Sequence, residues 1–244
     1  MAFLHSFLTF LLILLHCCVT GGMNQMLSAS SIVVALHDAA PAEKALAKRD
    51  MGWFAARLPS SEQWRLLEEF HAHAAYVDIE TTGLSRNADT ITVVAMHAEG
   101  RTHTFVHGKD MDEFPSRVSQ YPLVVTFNGA SFDMPFLTRR FKAFKPAAHI
   151  DLRHPLKRLG YAGGLKAIER QVGIGRTSNV RDIDGFEAVR LWHAYRRGDQ
   201  ASLDRLLEYA RADVDNLAPL ARLTAEKAAA ALGFKKRECR WGGW

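Results

Sequence analysis

The sequence is poor in cysteine: Cys17 and Cys18 stand side by side and Cys239 lies near the other end of the 244 residues. That spacing excludes a disulfide framework and leaves no CxxC pair to hold zinc. Charge is missing from residues 1–37, which contain no Asp, Glu, Lys or Arg. The stretch FLHSFLTFLLILLHCCV within them is apolar. It lacks the Lys or Arg that would give a secretory signal its positive flank. As a membrane anchor it is short, broken by Ser6, Thr9 and His16, and has no basic border. The expectation adopted is a start codon placed too early, with Met23 or Met26 as the true beginning, and a cytoplasmic protein; a signal or an anchor is the competing reading. Repeats and long linkers are missing too. Excess charge is small, 31 Lys+Arg against 26 Asp+Glu. Part of that excess sits in the last ten residues, where Lys235, Lys236, Arg237 and Arg240 face a single Glu238. The bulk of the chain is therefore only mildly basic, which is compatible with a polyanionic partner without requiring one.

What is present is an ordinary globular composition, 48% hydrophobic and 23% charged. Those values exclude disorder, collagen and coiled coil for the bulk of the chain, and the length suffices to bury a core without staples. Residues 28–58 read as a mixed segment with a short strand and a surface helix. Pro59-Ser60-Ser61-Glu62 predicts a helix start capped by Ser60 or Ser61. Three strand-like runs follow, AAYVDIE (74–80), TITVVAMH (90–97) and THTFVH (102–107), the last two joined by Glu99-Gly100 as a hairpin. LVVTF (123–127) and AAHID (147–151) are further short strands, with helical spacing over 131–144 between them. Asp151 closes its run and is placed to cap the next helix. After residue 152 the pattern is helical: Leu165–Val172, Phe186–Arg196, and Leu203 to about Leu232, with Gly198 as a stop after Arg196-Arg197. Three successive strands, then helix, strand and helices, predict an α/β fold whose sheet joins an antiparallel meander to parallel strands. The expected organisation is an N-terminal extension over 1–56, one domain over 57–232 and a basic tail over 233–244.

The chemistry is carried by acids at three places. In YVDIETTGL, Asp78 and Glu80 are two apart on a strand, so their side chains share one face about 6–7 Å apart, while Val77 and Ile79 point the other way. Two acids on one face repel and resist burial, and Thr81-Thr82-Gly83 ends the strand at once. Acids at the carboxyl end of a strand lie where α/β sheets place their sites. An edge strand with a wet face is the plainer alternative. In VVTFNGASFD a strand ends at Asn128, turns through Gly129 and restarts as a helix near Asp133, which either serves a site or merely caps that helix. In YARADVDN, Tyr209 and Asp213 are four apart and share a helix face, about 5–6 Å apart at Cβ. They lie at the margin of the stripe Leu203, Leu206, Ala210, Val214 and Leu217, whereas Asp215 reads as solvated.

DxE, then NxxxFD, then YxxxD, in that order, resembles the DEDD 3′–5′ exonucleases of the ribonuclease H-like superfamily, and tyrosine four before the last Asp resembles their DEDDy branch. LKAIERQVGIGR (165–176) and YRRGDQASLDRLLEYARADVDNL (195–217) look more specifically like the predicted ribonuclease H-like exonuclease family of microbes. The resemblance spans roughly residues 57–223. It implies a ribonuclease H-like five-stranded mixed sheet flanked by helices, with two divalent cations, Mg²⁺ or Mn²⁺. It implies Asp78, Glu80 and Asp213 at the first ion, Asp78 bridging to the second with Asp133 in support, and Tyr209 orienting water. The implied partner is the 3′ end of RNA or single-stranded DNA. Thr82, Asn128 and Lys166 are the substrate-binding candidates; Asn128 reads more readily as a tie for the turn before Asp133. Gly163-Gly164-Leu165-Lys166 either opens a helix plainly or meets a phosphate. Gly173-Ile174-Gly175 follows no strand and is not a dinucleotide motif. The eleven histidines show no zinc spacing. A non-catalytic nucleic-acid-binding module and an endonuclease acting on RNA-containing hybrids are the alternative functions.

Overall fold

A computed structural model describes residues 39–176 and 183–232. The apolar segment 1–37, the part of the mixed segment 28–58 that precedes residue 39, and the basic tail 233–244 lie outside the described residues. The chain opens with two short helices, α1 (Ala39–Ala47) and α2 (Met51–Ala55). Asp50 caps α2 by accepting from the Trp53 N–H. Ala42, Ala45, Met51 and Phe54 are buried in the same apolar cluster as the sheet, so residues read as extension contribute to the main core.

A 3₁₀ helix, Ser60–Leu66, continues into α3 (Leu67–Phe70) and a second 3₁₀ turn, His71–His73. The serine cap expected here does not form. The Pro59 carbonyl instead accepts from the Glu62 N–H at 2.8 Å and starts the tighter turn. The Glu62 carboxylate is held by Arg65 and Arg158. Then come β1 (Ala74–Thr81), β2 (Ile91–Ala98), β3 (Arg101–Val106), α4 (Phe114–Val118), β4 (Leu123–Thr126), α5 (Asp133–Arg140), β5 (Ala148–Asp151), α6 (Arg153–Arg158), α7 (Leu165–Val172), α8 (Gly185–Arg196) and α9 (Gln200–Ala231).

The five strands form one mixed sheet in the order β3-β2-β1-β4-β5. β1, β2 and β3 make the antiparallel meander, and β4 and β5 run parallel to β1. This is the α/β arrangement anticipated from the element order. Side chains alternate across β1. Ala75, Val77 and Ile79 enter a cluster with α4 and α5 on one face. The opposite face is covered by α9, whose Leu217, Leu220 and Ala221 pack on Tyr76, Val125 and Ile150. Its Leu206, Ala210 and Val214 pack on Val93 and Ala95. Two apolar clusters thus flank the α9 face, and the seam between them is where Asp78 and Glu80 point. β1 pairs with β4 only from Ala74 to Tyr76 but with β2 as far as Thr81. Its last residues therefore project beyond β4 at the point where the sheet changes from antiparallel to parallel, the crevice in which α/β sheets bind ligands.

Candidate active site

Strand alternation turns Asp78 and Glu80 toward α9, beside their register partners Ala95 and Val93, which pack on that helix. A register irregularity between Glu80 and Thr81 then ends the regular pairing. α9 turns Asp213 toward them from within its apolar stripe. Ligand oxygens of Asp78, Glu80 and Asp213 lie within 4.8 Å of one another, the one such grouping of potential metal ligands among the described residues. Glu80 and Asp213 are buried, and Asp78 is partly exposed.

Asp133 reaches the site from the other side, at the first residue of α5. It is not a helix cap: no side chain caps α5, and its Oδ1 accepts from the Ile79 backbone N–H at 3.1 Å. It stands beside the three-acid group without being part of it. Burial, reinforced by Asp133 and Asp213, pushes Asp78 and Glu80 well above the usual carboxylate range, with Glu80 adding to the rise at Asp78. Burial pushes Asp133 up to about 7 against the backbone hydrogen bonds that favour its charge. Burial also raises Asp213, opposed by Arg176. Four acids in this state are costly to ionise together, and hard oxygen donors arranged so fit a small divalent cation.

Tyr209 is one turn before Asp213 and buried, and burial with the neighbouring carboxylates pushes its phenol above its ordinary value of 10. The Lys166 ammonium, near the start of α7, lies 4.7 Å from the Tyr209 ring centroid. Burial lowers its pKa against the pull of Asp213. The other two binding candidates have their side chains committed. Thr82 Oγ1 donates to Asp89 Oδ1 at 2.9 Å and accepts from the Thr90 N–H. Asn128 Oδ1 accepts from Ser131 Oγ and from Arg153. Its backbone N–H, with that of Ala130, donates to Asp151, so Asn128 belongs to the turn that positions Asp133.

Three residues at or near the site carried no role in the sequence reading. Arg176 ion-pairs with Asp213 and with Glu169, both buried. Glu169 sits on α7 and also accepts from Asn216 Nδ2 at 2.9 Å. Asp89 wraps the loop after β1, accepting from the Ser85 N–H and filling the space a Cβ on Gly83 would need. Asp215 is exposed, as read, and also accepts from Thr102 Oγ1 and meets His97 Nδ1 at 2.9 Å; the meander packs close enough to α9 to engage it. Of the histidines weighed for zinc, His73 bonds Arg49, His71 bonds the Leu67 carbonyl and His107 stacks edge-on to Trp192.

A family model described as RNase_H superfamily matches residues 75–225. The chain therefore belongs to the ribonuclease H superfamily. No curated protein matches it. Among solved structures it is similar to Brucella melitensis NrnC bound to pGG, at 21% identity and a TM-score of 0.47, over 68% of this chain and 78% of that one. It is similar to the Aedes aegypti Nibbler EXO domain at 10% identity and a TM-score of 0.48, over 71% and 88%. Similarity to the family B DNA polymerase of Pyrobaculum calidifontis, at 18% identity and a TM-score of 0.48, covers 68% of this chain and only 30% of the polymerase.

Proposed function

We propose that this chain is a metal-dependent 3′–5′ exonuclease of the DEDDy type that acts on RNA or single-stranded DNA in the cytoplasm. The observation that carries the reading is the meeting of Asp78, Glu80 and Asp213 oxygens within 4.8 Å, from a strand and a distant helix, with Asp133 and Tyr209 beside them. Asp78, Glu80 and Asp213 would hold one Mg²⁺ or Mn²⁺, and Asp78 with Asp133 a second. Two such ions supply an activated water, a stabilised oxyanion and an in-line template.

The protein's own side chains divide the remaining work. Tyr209, with its phenol pushed above its ordinary value, stays protonated and orients the attacking water by a hydrogen bond rather than removing its proton. Lys166 brings a positive charge beside Tyr209 where a phosphate enters. The backbone at Thr82, stiffened by Asp89, borders the terminal nucleotide, and Asn128 holds the turn that presents Asp133. The catalytic residues fall within 57–232, whose core is completed by Ala42, Ala45, Met51 and Phe54.

A product ladder tests the reading: 5′- and 3′-labelled RNA and DNA oligonucleotides with Mg²⁺, Mn²⁺ or EDTA. Stepwise shortening from the 3′ end, abolished by EDTA and by Asp78→Ala, is expected. Cleavage that persists in EDTA or in that variant refutes it. Internal cuts in a substrate with a blocked 3′ end indicate an endonuclease instead.

A further inference from the structure

We propose that Arg176 is a built-in counter-cation of the acidic centre: its guanidinium holds Asp213 in place before a metal binds and releases that carboxylate when a divalent ion enters. The inference rests on the metal-dependent reading of the site above.

Arg176 lies just past α7, and its side chain is only 5% exposed. Two of its nitrogens are fixed by one partner: Nε donates to Glu169 Oε2 at 2.6 Å and Nη2 donates to Glu169 Oε1 at 2.7 Å. That is the parallel fork that guanidinium and carboxylate form best. Glu169 is itself anchored to α9 by Asn216. The fork fixes the plane of the guanidinium and leaves Nη1 to face Asp213 Oδ1. Those two atoms are buried, and neither completes a hydrogen bond of proper geometry. The rigid group cannot turn to improve the contact without breaking the fork. Attraction at Asp213 is therefore chiefly one of charge.

The Glu169 fork already pairs the charge of Arg176 within the α7 segment, and Asn216 already ties Glu169 to α9. The added contact sets a cation against one member of the three-acid group, where burial makes bare charge costly. A divalent ion meets the same need with a higher charge and oxygen coordination that the guanidinium lacks. The two cations thus compete for Asp213, and the Glu169 fork keeps Arg176 at hand when it is displaced. Arg176 is a positioning residue, acting through Asp213. Its charge also favours the ionised forms of Asp78, Glu80 and Asp213.

The test is Mn²⁺ binding alone, read from the free-Mn²⁺ electron paramagnetic resonance signal, on full-length wild type, Arg176→Gln and the charge-balanced pair Glu169→Gln/Arg176→Gln, with Asp78→Asn marking the site. Loss of a charge-assisted contact to Asp213 is expected to tighten Mn²⁺ binding roughly tenfold in both variants. The metal-free melting temperature of Arg176→Gln falls by about 10 °C, because two buried acids lose their partner. Affinity unchanged or weakened in the variants overturns the counter-ion role and leaves Arg176 a structural pin. A wild-type isotherm indifferent to Asp78→Asn overturns the metal site itself and this inference with it. If Arg176→Gln does not fold, the charge-balanced pair decides.

Discussion

The carboxylate of Asp133 accepts a hydrogen bond from the backbone N–H of Ile79 at 3.1 Å, although the two residues are 54 positions apart. Ile79 sits between Asp78 and Glu80, beyond the last β1–β4 pair at Tyr76 and Val125. β4 has turned away into the 128–132 loop at this level, so Asp133 supplies the acceptor that a longer β4 would have supplied. One contact thus closes the open side of β1 and sets the fourth acid beside the other three. Asp133→Ala should leave a buried N–H unpaired and cost about 1–3 kcal/mol of stability by denaturant unfolding. Asp133→Asn keeps an acceptor and should recover most of that stability, while cleavage stays lost in both.

pH dependence follows from the same carboxyl. Its ordinary value is 3.8, and burial raises it to about 7 in the metal-free fold. A group with a raised folded value contributes stability that is complete below its unfolded value and lost as pH rises through the folded one. In EDTA the melting temperature should therefore fall between about pH 4 and pH 7, with Asp78, Glu80 and Asp213 acting in the same direction. Asp133→Asn should flatten that slope. A melting temperature that climbs over this range in EDTA would contradict the buried, unneutralised state of the acids.

Glu62 works at the other end of the scale. Burial raises its pKa, but the hydrogen bond from Arg158 and the charges of Arg65 and Arg158 outweigh it, and the net value lies below the ordinary 4.5. The sign is reversed: its contribution is complete above about 4.5 and lost as pH falls through the lowered value. Glu62→Gln should lower stability across the neutral range and flatten the acid limb, its profile converging with wild type as pH falls.

Local pattern carried much of this architecture. Asp78 and Glu80 share a face because strands repeat every two residues, and Tyr209 and Asp213 share one because helices place i and i+4 together. Both relations are visible in a single line of sequence. Arg176 was not, for the opposite reason: it follows α7 on no regular repeat, and what makes it functional is its meeting with Asp213 on α9. Asp89 and Glu169 share that difficulty, since nothing local distinguishes a loop or helix acid that folds inward. Thr82 shows the limit from the other side: its place in a motif makes it a binding candidate, and its hydroxyl is engaged by Asp89, a neighbour that only tertiary packing supplies.

Asp151 can be tested as the organiser of the turn before Asp133. Its two oxygens accept from the Asn128 N–H at 2.7 Å, the Ala130 N–H at 3.0 Å and the Arg153 N–H at 3.0 Å. They hold Asn128 at a positive φ of 63° and start α6 at the same time. Asp151→Ala removes both acceptor oxygens and their three hydrogen bonds and should cost about 3 kcal/mol. It should also slow cleavage through displacement of Asp133, although Asp151 is outside the three-acid group.

Gly129 gives the sharpest steric test of that turn. A Cβ there would lie 2.2 Å from Thr126 Oγ1 and 2.5 Å from Thr126 Cβ. Thr126 is fully buried, and its hydroxyl is paired with His149 Nε2 at 2.9 Å, so it has no free direction in which to yield. Gly129→Ala must therefore shift backbone rather than a side-chain tip, at a cost of about 1–3 kcal/mol. The backbone that shifts is the one leading into Asp133, and cleavage should drop with stability. Gly164→Ala supplies the contrast: a Cβ there meets nothing within 4 Å, and stability should stay within about 0.5 kcal/mol of wild type. Equal tolerance of alanine at the two glycines would mean that the 128–132 turn has room to relax and that Asp133 is held less firmly than its bond to Ile79 implies.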